Sequence, residues 1–134
     1  MREKALSLQL ASNLDELEKL DPFVKKLCST MGCDSDKEHL IMLVLTEAVT
    51  NAILHGNKEN PEKSVEIVAE MSPNVLKISI RDEGSGFDPD KIPNPLDRDN
   101  LLKSSGRGVW LMREFADKVE FKEGGRTVVL QFRF

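Results

Sequence analysis

Cysteine is scarce in this chain of 134 residues: Cys28 and Cys33 are the only two, too few and too close together to frame a disulfide-bonded secreted domain. Cys28 falls in an apolar helical pattern and Cys33 in the turn behind it, so both are expected to be reduced thiols without chemistry. A zinc site would need partners that His39 and His55, the two histidines, do not supply. Basic charge is also lacking. Nineteen Lys and Arg stand against 23 Asp and Glu, a formal net charge of -4. Binding a nucleic-acid backbone takes a broad basic face, so no direct nucleic-acid contact is expected. No stretch reads as long enough for a membrane span, and no membrane partner is expected. The opening Met1-Arg2-Glu3-Lys4-Ala5 has neither the apolar core nor the small-residue cleavage site of a signal peptide, which makes a cytoplasmic location the expectation. Internal repeats and low-complexity tracts are missing too. What is present, 40% hydrophobic and 31% charged residues with both signs interspersed, is a globular composition. The length suits one domain spanning residues 1–134.

Hydrophobic periodicity then orders the chain. Residues 4–11 alternate as a strand. From Asn13, the apolar positions Leu14, Leu17, Leu20, Val24 and Leu27 recur at helical spacing, with Asn13 placed to cap and Glu16 three residues on. Gly32 marks the stop of that helix. Asp34 or Ser35 caps a second helix, expected over 36–55, whose centre Leu40-Ile41-Met42-Leu43-Val44-Leu45 is apolar nearly all round and therefore central and buried. Gly56 to Pro61 is a turn. Strands follow at 65–71 and 75–81 around the hairpin connection Ser72-Pro73-Asn74. Residues 84–106 show no period and hold much of the glycine and proline, as binding loops or lids do. A third helix is expected over 108–118, with Val109, Leu111, Met112 and Phe115 on its apolar side, and a closing hairpin over 119–121 and 127–134. Strands that cluster without a helix between every pair predict an α+β two-layer sandwich, with a mixed, mostly antiparallel sheet and helices on one face.

Three segments carry chemistry. Glu47, Asn51 and His55 are spaced i, i+4, i+8 on the second helix and share one stripe. A carboxylate and a carboxamide one turn apart suit a hard cation such as Mg2+, although any helix also has a face that simply meets water. Arg81-Asp82-Glu83-Gly84-Ser85-Gly86-Phe87 follows a strand; its glycines let backbone approach a flat or anionic ligand, and Asp82 can accept a hydrogen bond from a base amino group. Ser104-Ser105-Gly106-Arg107-Gly108 leads into a helix, where free amides and the Arg107 charge favour an anion. No Gly-Lys-Ser/Thr follows it, and no βαβ unit surrounds it, so it is neither a Walker loop nor a dinucleotide fingerprint.

Taken together and in this order, the segments resemble the boxes of the GHKL (Bergerat-fold) ATPase superfamily. Thr46-Glu47-Ala48-Val49-Thr50-Asn51-Ala52-Ile53-Leu54-His55-Gly56 looks like its N-box. Asp82-x-Gly84-x-Gly86-Phe87 and Gly106-Arg107-Gly108 look like the second and third boxes, and Gly125-Arg126-Thr127 is similar to the closing element. The wording is most similar to bacterial anti-sigma-factor serine/threonine kinases. The resemblance implies ATP and Mg2+ as cofactors, with Asn51 as the metal ligand, Glu47 as base toward an attacking hydroxyl, and Asp82 on the adenine amino group with Thr127 beside it. It further implies that His55, Gly84, Gly86, Ser105, Gly106, Arg107 and Gly108 contact the nucleotide, and that residues 88–105 form a lid. Trp110 is expected to be packing or partner surface. The implied function is phosphorylation of an anti-sigma-factor antagonist and sequestration of a sigma factor by a homodimer. The alternative is a nucleotide-gated binding module that transfers no phosphate. No phosphoacceptor-histidine helix pair precedes the boxes, which argues against a sensor histidine kinase.

Overall fold

A computed structural model describes residues 4–85 and 104–134, with only the helical backbone described at 104–107. The elements run β1 (Lys4–Ala11), a 3-10 helix (Leu14–Lys19), α1 (Leu20–Met31), α2 (Ser35–Asn51), a π turn (Ala52–Gly56), β2 (Ser64–Ser72), β3 (Val75–Arg81), α3 (Ser104–Phe115), β4 (Lys118–Lys122) and β5 (Thr127–Arg133). The five strands form one sheet in the order β1-β2-β3-β5-β4. Every pairing is antiparallel, so among the described residues the expected mixed sheet is an antiparallel one. This follows from the connections: β2–β3 and β4–β5 are hairpins, the crossover through α1 and α2 returns the chain antiparallel to β1, and the crossover through α3 sets β4 parallel to β3 with β5 inserted between them.

Alternation decides which face is covered. On β2, Val65, Ile67, Ala69 and Met71 are buried, while Glu66 and Glu70 between them are exposed. Leu76, Ile78 and Ile80 of β3 and Val128, Leu130 and Phe132 of β5 join the same inner face. The helices lie over it, and one hydrophobic cluster joins them to the sheet. The outer face carries Glu66 opposite Arg81 and Glu70 opposite Lys77, opposite-charge pairs on adjacent strands.

Helix α2 is the centre of this core. Its buried residues Ile41, Val44, Leu45, Ala48 and Val49 recur at three- and four-residue spacing. The expectation of burial nearly all round is corrected, since Leu43 on the far side is 43% exposed. A second correction concerns length: Ser35–Gly56, 22 residues with mean hydropathy 1.3 in its most apolar window, is long and apolar enough to cross a membrane. Here that apolarity packs against the sheet. Truncating Leu45, which is fully buried, should therefore cost about 2–5 kcal/mol through lost transfer energy and the cavity left behind. A chemical-denaturation midpoint for Leu45→Ala measures it.

The helix ends separate what is local from what is not. Asp34 caps α2 as expected, its Oδ1 accepting from the Lys37 amide at 2.8 Å. Gly32 closes α1 in the left-handed region at φ 76°, ψ 39°, where a Cβ would be strained. Asn13, however, makes no side-chain cap, and the first six residues after it are 3-10 helix. Glu16 reaches past Asn13 to accept from the Ala11 amide at 2.9 Å, so it ties the helix to the end of β1. Helix α3 begins four residues before the expected 108 and stops at Phe115, because the Asp117 amide is already engaged by the Gln131 carbonyl of β5. Val109 and Met112 are buried, Leu111 is half-buried, and Phe115 is 40% exposed. Trp110 is half-buried. Cys28 and Cys33 are free thiols, and burial raises both above the ordinary thiol range, which disfavours the reactive thiolate.

Candidate functional site

The site begins where α2 stops being an α-helix. After Asn51 the chain makes a single π turn, closed by the Asn57 amide on the Ala52 carbonyl at 2.8 Å. Such turns recur at functional sites. The straight i, i+4, i+8 stripe expected for Glu47, Asn51 and His55 is therefore wound more loosely over its last step. Asn51 and His55 both line a cavity of about 230 Å3 between α2, α3 and the inner face of the sheet. Ala48, Ala52, Ile80, Val109, Met112 and Val128 make most of its wall apolar. Asp82, at the end of β3, supplies a carboxylate to that wall, and Gly125 and Arg126 close it from the β4–β5 connection. A flat heterocycle with one polar edge fits such a lining.

Asp82 is held from several sides. Its amide donates to the Arg126 carbonyl at 2.9 Å, extending the β3–β5 ladder by one bond. Its Oδ1 accepts from the Gly84 amide at 2.8 Å. Only 8% of the residue is exposed. Burial raises its carboxyl above the usual aspartate range, while the Gly84 amide and the charges of Arg126 and Lys63 pull the other way. A buried carboxylate with one oxygen already engaged has its other oxygen available to a ligand donor.

The glycines are required by close approach. A Cβ on Gly56 would collide with the Asp82 carboxylate, and one on Gly84 with the Gly56 carbonyl. A Cβ on Gly108 would stand 2.5 Å from Asn51 Nδ2, so the start of α3 packs directly against that carboxamide. Gly84→Ala should thus push the loop after β3 away from the π turn at a cost of about 1–3 kcal/mol, since the obstacle is backbone and not a movable side chain. A thermal or denaturant melt reads the loss.

Not every expected residue joins the cavity. Glu47 is half-buried one turn before Asn51 and is not among the lining residues. Thr127 pairs with Arg81 and Lys122, also outside the lining, and its buried hydroxyl finds no hydrogen-bond partner among the described residues. Gly86, and residues 86–103 as a whole, lie outside the described residues. Ser105, Gly106 and Arg107 are placed only as backbone in the first turns of α3, so positions 104 and 105 of the expected lid are helical, and the rest of that expectation lies outside the described residues. His39 is exposed on α2. Among the described residues no group of three or more His, Cys, Asp or Glu is placed to hold a metal. An ion held mostly by phosphate oxygens and water, with Asn51 as a protein ligand, fits that donor set, because Mg2+ keeps most of its waters.

One contributor was not legible beforehand. Asn57, expected only as part of a turn, is 1% exposed and hydrogen-bonded at both ends of its carboxamide. A turn-forming asparagine and a buried structural one look alike in sequence.

A described family matches the chain: the model for the histidine kinase-like ATPase domain covers residues 10–132. The chain belongs to that family. Among curated proteins it is 44% identical over 82 residues to an anti-sigma F factor of Bacillus cytotoxicus, a match covering 60% of this chain and 56% of the relative. An anti-sigma F factor of Halalkalibacterium halodurans is 38% identical over 100 residues, 73% of this chain and 66% of the relative. The chain thus spans less than two thirds of the length of these relatives. Among solved structures, that of the RsbU and RsbW domains of Rv1364c from Mycobacterium tuberculosis superposes with a TM-score of 0.66 at 14% identity, covering 97% of this chain and 32% of that one. At that identity it speaks for the fold alone.

Proposed function

We propose that this chain binds ATP with Mg2+ and acts as a serine/threonine protein kinase and anti-sigma factor. It phosphorylates an antagonist protein and, in another state, sequesters a sigma factor. The observation that carries the reading is the convergence, on one apolar cavity, of the Asp82 carboxylate and the Asn51 carboxamide. Asp82 accepts from the adenine amino group and the apolar wall takes the ring faces. Asn51, backed by Gly108 at the start of α3, holds the ion, which neutralises phosphate charge. His55, Gly84, Gly86, Ser105, Gly106, Arg107 and Gly108 complete the nucleotide contacts, and Thr127 supports Asp82 from the neighbouring strand. Glu47 takes the proton from the attacking serine or threonine hydroxyl, whose oxygen bonds to the γ-phosphorus as ADP leaves. The anti-sigma F factors it resembles support the choice of partners, and a homodimeric, cytoplasmic protein without nucleic-acid contact is part of the same reading.

A second reading rests on a specific observation: Glu47 is not among the residues lining the cavity. A nucleotide-gated binding module would need Asn51 and Asp82 and no base. Titration calorimetry tests what both readings share. ATP with Mg2+ should give a saturable heat that Asn51→Ala weakens strongly; no heat from the unmodified protein overturns both.

A further inference from the structure

Between the π turn and the loop after β3 lies a buried polar cluster centred on Asn57, whose side chain is not part of the cavity lining. Asn57 Nδ2 donates to Ser12 Oγ and to the Ser64 carbonyl, each at 2.9 Å. Its Oδ1 accepts from the Glu83 amide at 2.7 Å. Since a carbonyl can only accept and an amide N–H can only donate, these two backbone partners fix which end of the carboxamide is which. The Ser12 hydroxyl in turn donates to the Lys63 carbonyl at 2.6 Å, and Glu83 Oε2 accepts from the Ser64 amide at 2.7 Å. One side chain therefore joins the end of β1, the start of β2 and the loop after β3. Its own amide closes the π turn.

From this geometry we infer that Asn57 is a positioning residue that sets the base selectivity of the site, by holding the Asp82–Gly84 loop against the π turn. The inference rests on the reading of Asp82 as the adenine contact. Asp82 is flanked on one side by the bond from its own amide to Arg126 and on the other by the Glu83 amide, which Asn57 receives. Gly56, the residue before Asn57, lies against the Asp82 carboxylate. The carboxamide thus fixes both the loop and the backbone that the carboxylate packs on. Aspartate, nearly the same shape, cannot replace it: a carboxylate oxygen would face the Ser64 carbonyl with no proton between them. Without the clamp, Asp82 keeps its charge and loses its fixed place relative to the purine edge.

Selectivity distinguishes this role from a merely structural one. Inosine triphosphate carries an oxygen where ATP has the 6-amino group, so a placed Asp82 favours ATP. The ratio of the two dissociation constants is measured for the unmodified protein and for Asn57→Ala. The expected result is a preference for ATP that falls by roughly 10-fold or more in the variant, the range of one hydrogen bond to a charged group. Equal weakening of both nucleotides, with the ratio unchanged, overturns the inference, because general destabilisation acts on both alike. Where Asn57→Ala does not fold, Ser12→Ala removes one of the acceptors of the carboxamide and should shift the ratio in the same direction; an unchanged ratio there overturns it too. Hydrogen exchange at the Gly84 amide without nucleotide separates the two claims. No preference in the unmodified protein refutes the Asp82 reading, and unaltered Gly84 protection in the variant refutes the clamp.

Discussion

Glu47→Gln should leave the ATP affinity nearly unchanged and lower phosphate transfer to a protein serine or threonine by roughly 100- to 10,000-fold, the usual contribution of a general base. The amide keeps the size of the side chain and removes its basicity. Its position makes the separation of binding from transfer feasible. Glu47 lies one helical turn before Asn51, half-buried and outside the lining of the cavity, so the change touches neither the base contact nor the apolar wall. The measurement is incubation of each form with labelled ATP, Mg2+ and a small antagonist protein encoded in the same genome. Equal labelling by both forms would remove Glu47 from the reaction. If the unmodified protein binds ATP and captures a partner but labels nothing, the binding-module reading holds instead.

The part of the fold and site that was legible in sequence is the part set by local rules. Asp34, Gly32 and the Pro73-Asn74 turn each act within a few residues of themselves, and each does what its type predicts. Asn51, His55 and Asp82 were visible because a polar stripe on an apolar helix, and a glycine-flanked aspartate at a strand end, are unusual patterns. The pieces that escaped are set by neighbours distant in the chain. Glu16 bonds the last residue of β1 in place of completing a box with Asn13. Helix α3 runs through two glycines, poor helix formers, and Gly108 there lies against Asn51 of α2. The π turn ends at Gly56, where the loop from β3 needs the space that a side chain would fill. Asn57 meets Glu83 across 26 residues of sequence, a pairing that no local pattern encodes.

Asp82→Asn should abolish most nucleotide selectivity and at the same time stabilise the folded protein near neutral pH. The binding half follows from which oxygen is engaged. Oδ1 accepts from the Gly84 amide, so an asparagine keeps that bond with its oxygen and turns its NH2 toward the ligand, where a donor meets the adenine amino group. The affinity for ATP should fall by roughly 10- to 150-fold, the equivalent of a lost hydrogen bond to a charged acceptor. The stability half follows from the pKa. Burial raises the folded-state value above that of the unfolded chain, so the folded protein binds the proton more readily. Above the folded pKa the ionised side chain therefore subtracts stability; the subtraction shrinks as pH falls through that value and vanishes below the ordinary aspartate range. The variant should consequently melt higher than the unmodified protein at pH 7, with the gap closing as the buffer is acidified. ATP affinity of the unmodified protein should weaken over the same acid window, as the carboxylate proposed to accept from the base takes up a proton, and in Asp82→Asn that acid dependence should disappear. Melting curves and calorimetry across a pH series check both halves. A variant that melts lower at pH 7 would show the carboxylate to be a structural anchor, and unchanged ATP affinity would remove Asp82 from the base contact.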